Sequence, residues 1–225
     1  MKVWMMIIFV LVILGVIYVY KPVSHFGAKL LIKHAGGKKI ALTFDDGPVP
    51  ATSKLLDMLD EVGVKATFFV IGEELSRRGE LTKKAFDKGH SIGNHSWDHP
   101  HMLGWRSESF MKEQIEKTNT ELAKLGIKPK SFRAPFGETS WRLTSMLEKH
   151  GGMKYVGWTV SSKDWEPDYT AEKIHKLFSN IKENEVILLH DRAYEKPEHL
   201  EALKEEILRL KKEGFSFVTI DQLLP

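Results

Sequence analysis

Two adjacent carboxylates, Asp45 and Asp46, stand in the stretch IALTFDDGPVP. They follow a run of strand formers (Ile40, Ala41, Leu42, Phe44) and precede the break at Gly47 and Pro48. Like charges side by side repel, so the pair needs a reason to be tolerated. A solvated turn or a helix cap is the plain alternative, because Asp suits both. A second stretch, SIGNHSWDHPHM, offers a chemical reason. His95 and His99 are four residues apart, a spacing that can point two imidazoles at one ion from a helical turn or a tight loop. Four of the ten histidines fall between His90 and His101. Two histidines and one carboxylate leave a coordination position open for water, the arrangement of catalytic rather than structural zinc.

Three further stretches carry chemistry at the ends of apolar runs. In SFRAPFG, Arg133 precedes the rigid Pro135 and the permissive Gly137. In WTVSSKDW stand Asp164 and Trp165, and VILLHD ends in His190 and Asp191. A histidine at the end of an apolar strand packs poorly and serves well as an acid or base. Taken one at a time, Arg133 reads as a surface residue before a turn and Trp165 as a core or rim aromatic.

The elements that must position these groups follow from apolar patterning. Strand candidates fall at 39–44, 66–71, 91–93, 131–134, 155–160, 185–190 and 216–220. Helical spacing marks TSKLLDMLDEVG, with Thr52 or Ser53 as its cap, SFMKEQIEKTNTELAKLG, and EHLEALKEEILRLKKEG, ending at Gly63, Gly126 and Gly214. The alternation predicts a parallel α/β domain of about seven βα units. In barrels of this class chemistry gathers at the C-terminal ends of strands, where these residues lie. The chain of 225 residues has no cysteine, which excludes disulfides and thiolate metal sites. A net charge of +3 without a Lys/Arg block gives no footprint for nucleic acid.

The N-terminus reads differently. VWMMIIFVLVILGVIYVY, Val3 to Tyr20, runs 18 residues without a charge. As a helix it would span roughly 27 Å, close to the hydrocarbon thickness of a bilayer. Trp4, Tyr18 and Tyr20 lie near its ends, where interfacial aromatics are favoured. No A-x-A site follows, so an uncleaved transmembrane anchor over 1–21 is expected ahead of a cleaved signal. Residues 22–37 form a tether and 38–225 the globular domain. The lysines after the span (Lys21, Lys29, Lys33, Lys38, Lys39) oppose an outward-facing globule on the positive-inside tendency.

In this order TFDDGP, HSWDH, RAPFG, DW and LLH closely resemble the five motifs of the polysaccharide deacetylases, carbohydrate esterase family 4 or the NodB homology domain, over about residues 38–222. The resemblance implies a distorted, TIM-barrel-like (β/α)7 barrel. It implies that Asp46, His95 and His99 bind a divalent metal, zinc foremost, and that Asp45 is the general base. Arg133 would orient Asp45, and the Phe136 N–H would help hold the oxyanion. His190 would protonate the departing sugar amine, with Asp164 holding it. Trp165 and Leu188 would line a pocket for the acetyl methyl. Phe136 replaces a residue that is often Tyr in the family, and Ser161 stands where relatives often have Asp. The implied reaction is N-deacetylation of a peptidoglycan or chitin-like glycan by a membrane-anchored bacterial monomer with its catalytic domain outside the cytoplasm. A lipid-linked amino-sugar deformylase or deacetylase, a silent glycan-binding module and a non-sugar amidase are the alternatives.

Overall fold

The computed structural model describes residues 37–224. The anchor expected over 1–21 and the tether up to residue 36 lie outside the described residues. Among the described residues no helix is long and apolar enough to cross a membrane.

Eight parallel strands form one curled sheet: β1 (Lys39–Gly47), β2 (Thr67–Val70), β3 (Ser91–Asn94), β4 (Ser131–Phe132), β5 (Lys154–Tyr155), β6 (Val160–Ser161), β7 (Glu185–His190) and β8 (Ser216–Phe217). The order is β5-β4-β3-β2-β1-β7-β6, with β8 paired to the start of β1. Six α-helices lie among the described residues: α1 (Pro50–Glu61), α2 (Gly72–Asp87), α3 (Glu108–Lys124), α4 (Trp141–Gly151), α5 (Ala171–Ser179) and α6 (Pro197–Lys212).

Alternation along the central strands sorts side chains into two layers. Ile40, Leu42 and Phe44 of β1, with Ile187 and Leu189 of β7, join the main core shared with Leu55, Leu56 and Leu59 of α1 and Leu203 and Ile207 of α6. Phe44 stacks on Phe68 at 5.3 Å and meets the edge of Tyr194 at 5.8 Å. Burying a side chain of this size contributes about 1.5–3 kcal/mol. The opposite face carries a smaller inner cluster of Ala41, Phe69, Val156, Val186 and Ile220. On that inner face Thr43 and Asp45 follow Ala41, and Leu188 and His190 follow Val186. Strand alternation therefore fills the bottom of the curl with apolar groups and delivers polar ones at its C-terminal end.

Two expectations need correction. The single strand expected over 155–160 is two strands, β5 and β6, which form the opposite flanks of the sheet. No β5–β6 ladder closes the curl among the described residues. The buried Arg133 explains the interruption: its Nε and Nη2 donate to the carbonyls of Val156 and Gly157 at 3.2 and 2.8 Å. Those carbonyls bind a side chain instead of a neighbouring strand. Second, α1 begins at Pro50 rather than after Thr52 or Ser53. Proline is pre-set for the first helical position. Thr52 sits inside the first turn, where its Oγ1 accepts the Val49 N–H at 2.9 Å. The other two helices expected from spacing form nearly as read, and Gly126 and Gly214 follow them in the left-handed region at φ 73° and 85°.

Candidate active site

The floor of the site is a buried ion pair. Arg133, at the end of β4, is fully buried. Its Nη1 donates to Asp45 Oδ1 at 2.8 Å and to Thr43 Oγ1 at 2.7 Å. Its guanidinium lies over the Phe69 ring at 4.2 Å. Burying two charges is costly unless the remaining donors are satisfied. Here the carbonyls of residues 156 and 157, Thr43 and the aromatic face meet that condition. Arg133 is therefore not a surface residue before a turn. It fixes one oxygen of Asp45, while the other, Oδ2, lies 3.7 Å from His95 Nε2.

Asp46, His95 and His99 come together. One ligand atom from each lies within 4.8 Å of the others. Asp46 Oδ1 is 3.4 Å from both His95 Nε2 and His99 Nε2. His95 Nδ1 lies 2.8 Å from the Arg133 carbonyl. That carbonyl takes the Nδ1 proton and leaves Nε2 as the bare nitrogen, which a ligand needs. The site requires unusual backbone: Asp46 at the end of β1 has φ 68°, and Ser96 and His99 in the tight loop that carries both histidines have φ 69° and 55°. Such conformations cost about 1–3 kcal/mol each and persist only where neighbours enforce them. Asn94 enforces the loop by accepting the Ser96 N–H at 2.8 Å while its amide donates to the Ile115 carbonyl and to Asn119. Gln114 of α3 accepts the N–H groups of Trp97 and Asp98 at 2.9 and 3.2 Å.

The electrostatics suit a divalent cation. Burial works against the charge of Asp46, yet the adjoining His95, with His190 and His99 behind, holds its carboxyl well below the usual range. Burial, then the charge of His95, pushes His99 down to about 4, which keeps it a neutral imidazole. Burial also opposes a charge on His95, but Asp45 and then Asp46 raise it, so the acidic pair draws positive charge to this spot. Asp46 Oδ1 is buried and has no hydrogen-bond partner. An orphaned carboxylate oxygen facing two imidazole nitrogens fits a metal ion.

Across the cleft stands a His–Asp dyad. His190 Nδ1 lies 2.6 Å from Asp164 Oδ1, and the His190 backbone N–H donates to Asp164 Oδ2 at 2.7 Å. Both carboxylate oxygens thus orient one residue. Burial opposes protonation of His190, but Asp164, with Asp45 and Asp46 behind it, holds it at about 9. Its Nε2 is 3.9 Å from Asp46 Oδ2. Trp165, 59% exposed, sets its ring edge-on to His190 at 5.4 Å. Ser161 is half-buried on β6, and its Oγ has no hydrogen-bond partner.

These groups line one cleft of about 1000 Å³, with Phe136, Trp158, Trp165 and Leu188 as apolar wall. Phe136 has φ 56°, meets His99 at 4.5 Å and stacks on His101 at 3.6 Å. Every residue expected at the site by sequence lies at this cleft or, for Arg133, directly beneath it. Four contributors were not expected: Thr43, Asn94, Gln114 and Trp158. Thr43 was within reach of the sequence, since it lies two residues before Asp45 and so on the same strand face. Trp97 is half-buried beneath Lys117, whose Nζ is 3.9 Å from its ring, whereas Trp141 is 79% exposed.

A family profile described as polysaccharide deacetylase matches residues 33–156. The chain belongs to the polysaccharide deacetylase family. That match includes Asp45, Asp46, His95, His99 and Arg133; Asp164, Trp165, Leu188 and His190 lie beyond it. Longer alignments extend over most of the chain. A peptidoglycan-N-acetylglucosamine deacetylase of Bacillus cereus is 31% identical over 189 residues, 83% of this chain and 88% of that protein. Peptidoglycan-N-acetylglucosamine deacetylase PgdA of Listeria monocytogenes is 30% identical over 187 residues, 83% of this chain. The chain spans only 39% of the length of that relative. A solved family 4 acetyl xylan esterase from Clostridium thermocellum, in complex with a cobalt ion, superposes with a TM-score of 0.73 at 36% identity, covering 83% of this chain and 90% of that one. The curled parallel sheet is thus the fold of this family.

Proposed function

We propose that this chain is a metal-dependent hydrolase that removes N-acetyl groups from amino-sugar residues of peptidoglycan. The observation that carries the reading is the pairing of the Asp46–His95–His99 cluster with the Asp164–His190 dyad across one cleft, with Asp45 between them. Amide hydrolysis needs an activated water, a place for negative charge and a proton for the amine, and one group is available for each.

A divalent cation held by Asp46, His95 and His99, zinc in our reading, would supply Lewis-acid activation of the amide carbonyl and of water. Asp45 takes the proton of the attacking water as a C–O bond forms at the acetyl carbon; Arg133 keeps its carboxylate aimed. The backbone N–H of Phe136 stabilises the oxyanion. His190 then passes its Nε2 proton to the sugar nitrogen as the C–N bond breaks. That nitrogen is the available one because Nδ1 is committed to Asp164. Trp165 and Leu188 enclose the acetyl methyl. Peptidoglycan is favoured over chitin by the names of the relatives that this chain covers most evenly. The apolar run of residues 3–20 supports a single-pass bacterial membrane protein. Our reading sets this domain outside the cytoplasm, as a monomer, because a peptidoglycan substrate lies there and despite the lysines that follow the run.

The test is acetate release by the full chain in mild detergent, stripped with chelator and reloaded with Zn²⁺. Zinc-dependent acetate from peptidoglycan supports the proposal. Metal binding without acetate from peptidoglycan or chitin oligomers would overturn it and turn attention to lipid-linked or non-sugar amides.

A further inference from the structure

Asp191 directly follows the proposed acid and has no part in the chemistry above. It is buried, with 1% of its surface exposed. One oxygen, Oδ2, accepts a hydrogen bond from Thr52 Oγ1 of α1. Thr52 Oγ1 in turn accepts the Val49 N–H at 2.9 Å. The same carboxylate lies against the backbone of Gly47, so closely that a Cβ at that position would collide with Oδ2. The other oxygen, Oδ1, is buried without a hydrogen-bond partner. A neutral apolar residue would fill this space at lower desolvation cost, so the carboxylate needs a further reason to be there.

Its contacts give that reason. Gly47 is the residue after Asp46, and Val49 and Thr52 are the next fixed points of the chain beyond it. On its other side Asp191 is joined by one peptide bond to His190. The side chain therefore links the two halves of the cleft from behind: the turn that carries a metal-holding carboxylate and the strand end that carries the acid. In front, the same two halves face each other as Asp46 Oδ2 and His190 Nε2, 3.9 Å apart. We infer that Asp191 is a positioning residue that sets the Asp46–Gly47–Pro48 turn against His190 through its contacts with Gly47 and Thr52. The inference rests on the reading of Asp46 as a metal ligand.

The test is metal affinity of the full chain in mild detergent, measured with Co²⁺ by its visible spectrum and with Zn²⁺ by competition against a chromophoric chelator. Circular dichroism reports folding. Asp191→Ala should remain folded and bind Co²⁺ about 10–100-fold more weakly, the usual effect of losing a group that orients a ligand. Asp191→Asn, which keeps the shape and an acceptor for Thr52, should restore most of the affinity. Thr52→Val should weaken binding in the same direction, and the Asp191→Ala/Thr52→Val pair should be no worse than Asp191→Ala alone. Wild-type affinity in folded Asp191→Ala overturns the inference. An equal loss in Ala and Asn variants also overturns it, because charge rather than position would then be at work. Should Asp191→Ala fail to fold, Thr52→Val decides, and unchanged affinity there overturns the inference. A His95→Ala control separates the two readings: if it too binds Co²⁺ normally, the metal-site assignment has failed rather than the role of Asp191 alone.

Discussion

Asp45 and His190 are register partners on the adjacent parallel strands β1 and β7. The proposed base and the proposed acid thus leave the sheet from neighbouring positions on the same face, about 4.8 Å apart along the hydrogen-bonding direction. Each is held by a partner of opposite charge. Asp45 is held by the Arg133 guanidinium, and His190 by the Asp164 carboxylate.

The Asp45–Arg133 pair should be a large structural liability when broken. Arg133→Ala leaves a buried carboxylate and strips donors from the carbonyls of Val156 and Gly157. A loss of about 3–5 kcal/mol in unfolding free energy by urea titration is expected. Arg133→Lys should recover little of it, since an ammonium lacks the planar fork that serves four acceptors.

The pH profile of turnover should show an alkaline limb near 9, because His190 carries its proton below about 9 and loses it above. In Asp164→Asn the raising partner is gone, and the limb should move down toward the ordinary histidine range of about 6.5. His190→Ala should slow turnover by about 10²–10⁴-fold. The stabilisation of the fold by the same pair is complete below the unfolded histidine pKa and is lost as pH rises through 9. A limb that stays in place in Asp164→Asn would remove His190 from the role.

Metal should stabilise the fold through its ligands. At a free concentration of 100 times the dissociation constant, Zn²⁺ should add about 2.7 kcal/mol of stability to the parent. Chelator should lower the melting temperature correspondingly. Asp46→Ala and His95→Ala should show neither the shift nor activity. If either keeps both metal and full rate, the ligand assignment is wrong.

The wall made by Trp165 and Leu188 should set the size of the acyl group. Trp165→Ala opens one side of the cleft and should reduce the preference for acetyl over propionyl amide by about tenfold, the worth of roughly one methylene. The readout is the ratio of kcat/KM for the two amides. An unchanged ratio would move the acyl group elsewhere in the cleft.

How much of this was legible varies residue by residue. DDGP and HSWDH stood out in the chain because the metal ligation proposed for them constrains residue type and short-range spacing, and both are local properties of the chain. The helices ending near Gly126 and Gly214 were legible for the same reason. Strand 155–160 was misread, since apolar runs report burial and say nothing of a guanidinium arriving from β4 to take up carbonyls. Asn94 and Gln114 look like ordinary polar residues until the loop they pin is folded against α3.

By itself the sequence determined the alternating α/β pattern, three of the helices, and the candidate ligands and acid–base groups near the ends of apolar strands. Tertiary structure alone decided that Arg133 is buried under Asp45, that Asp46 faces both imidazoles and that Asp164 turns both oxygens to His190. The physical reason is range. Period and ligand spacing act over a few residues and leave a pattern in the chain. The partners that hold each group are tens of residues away, such as Arg133 beside Asp45 at a separation of 88 and Asp164 beside His190 at 26, and these meet only when the sheet curls.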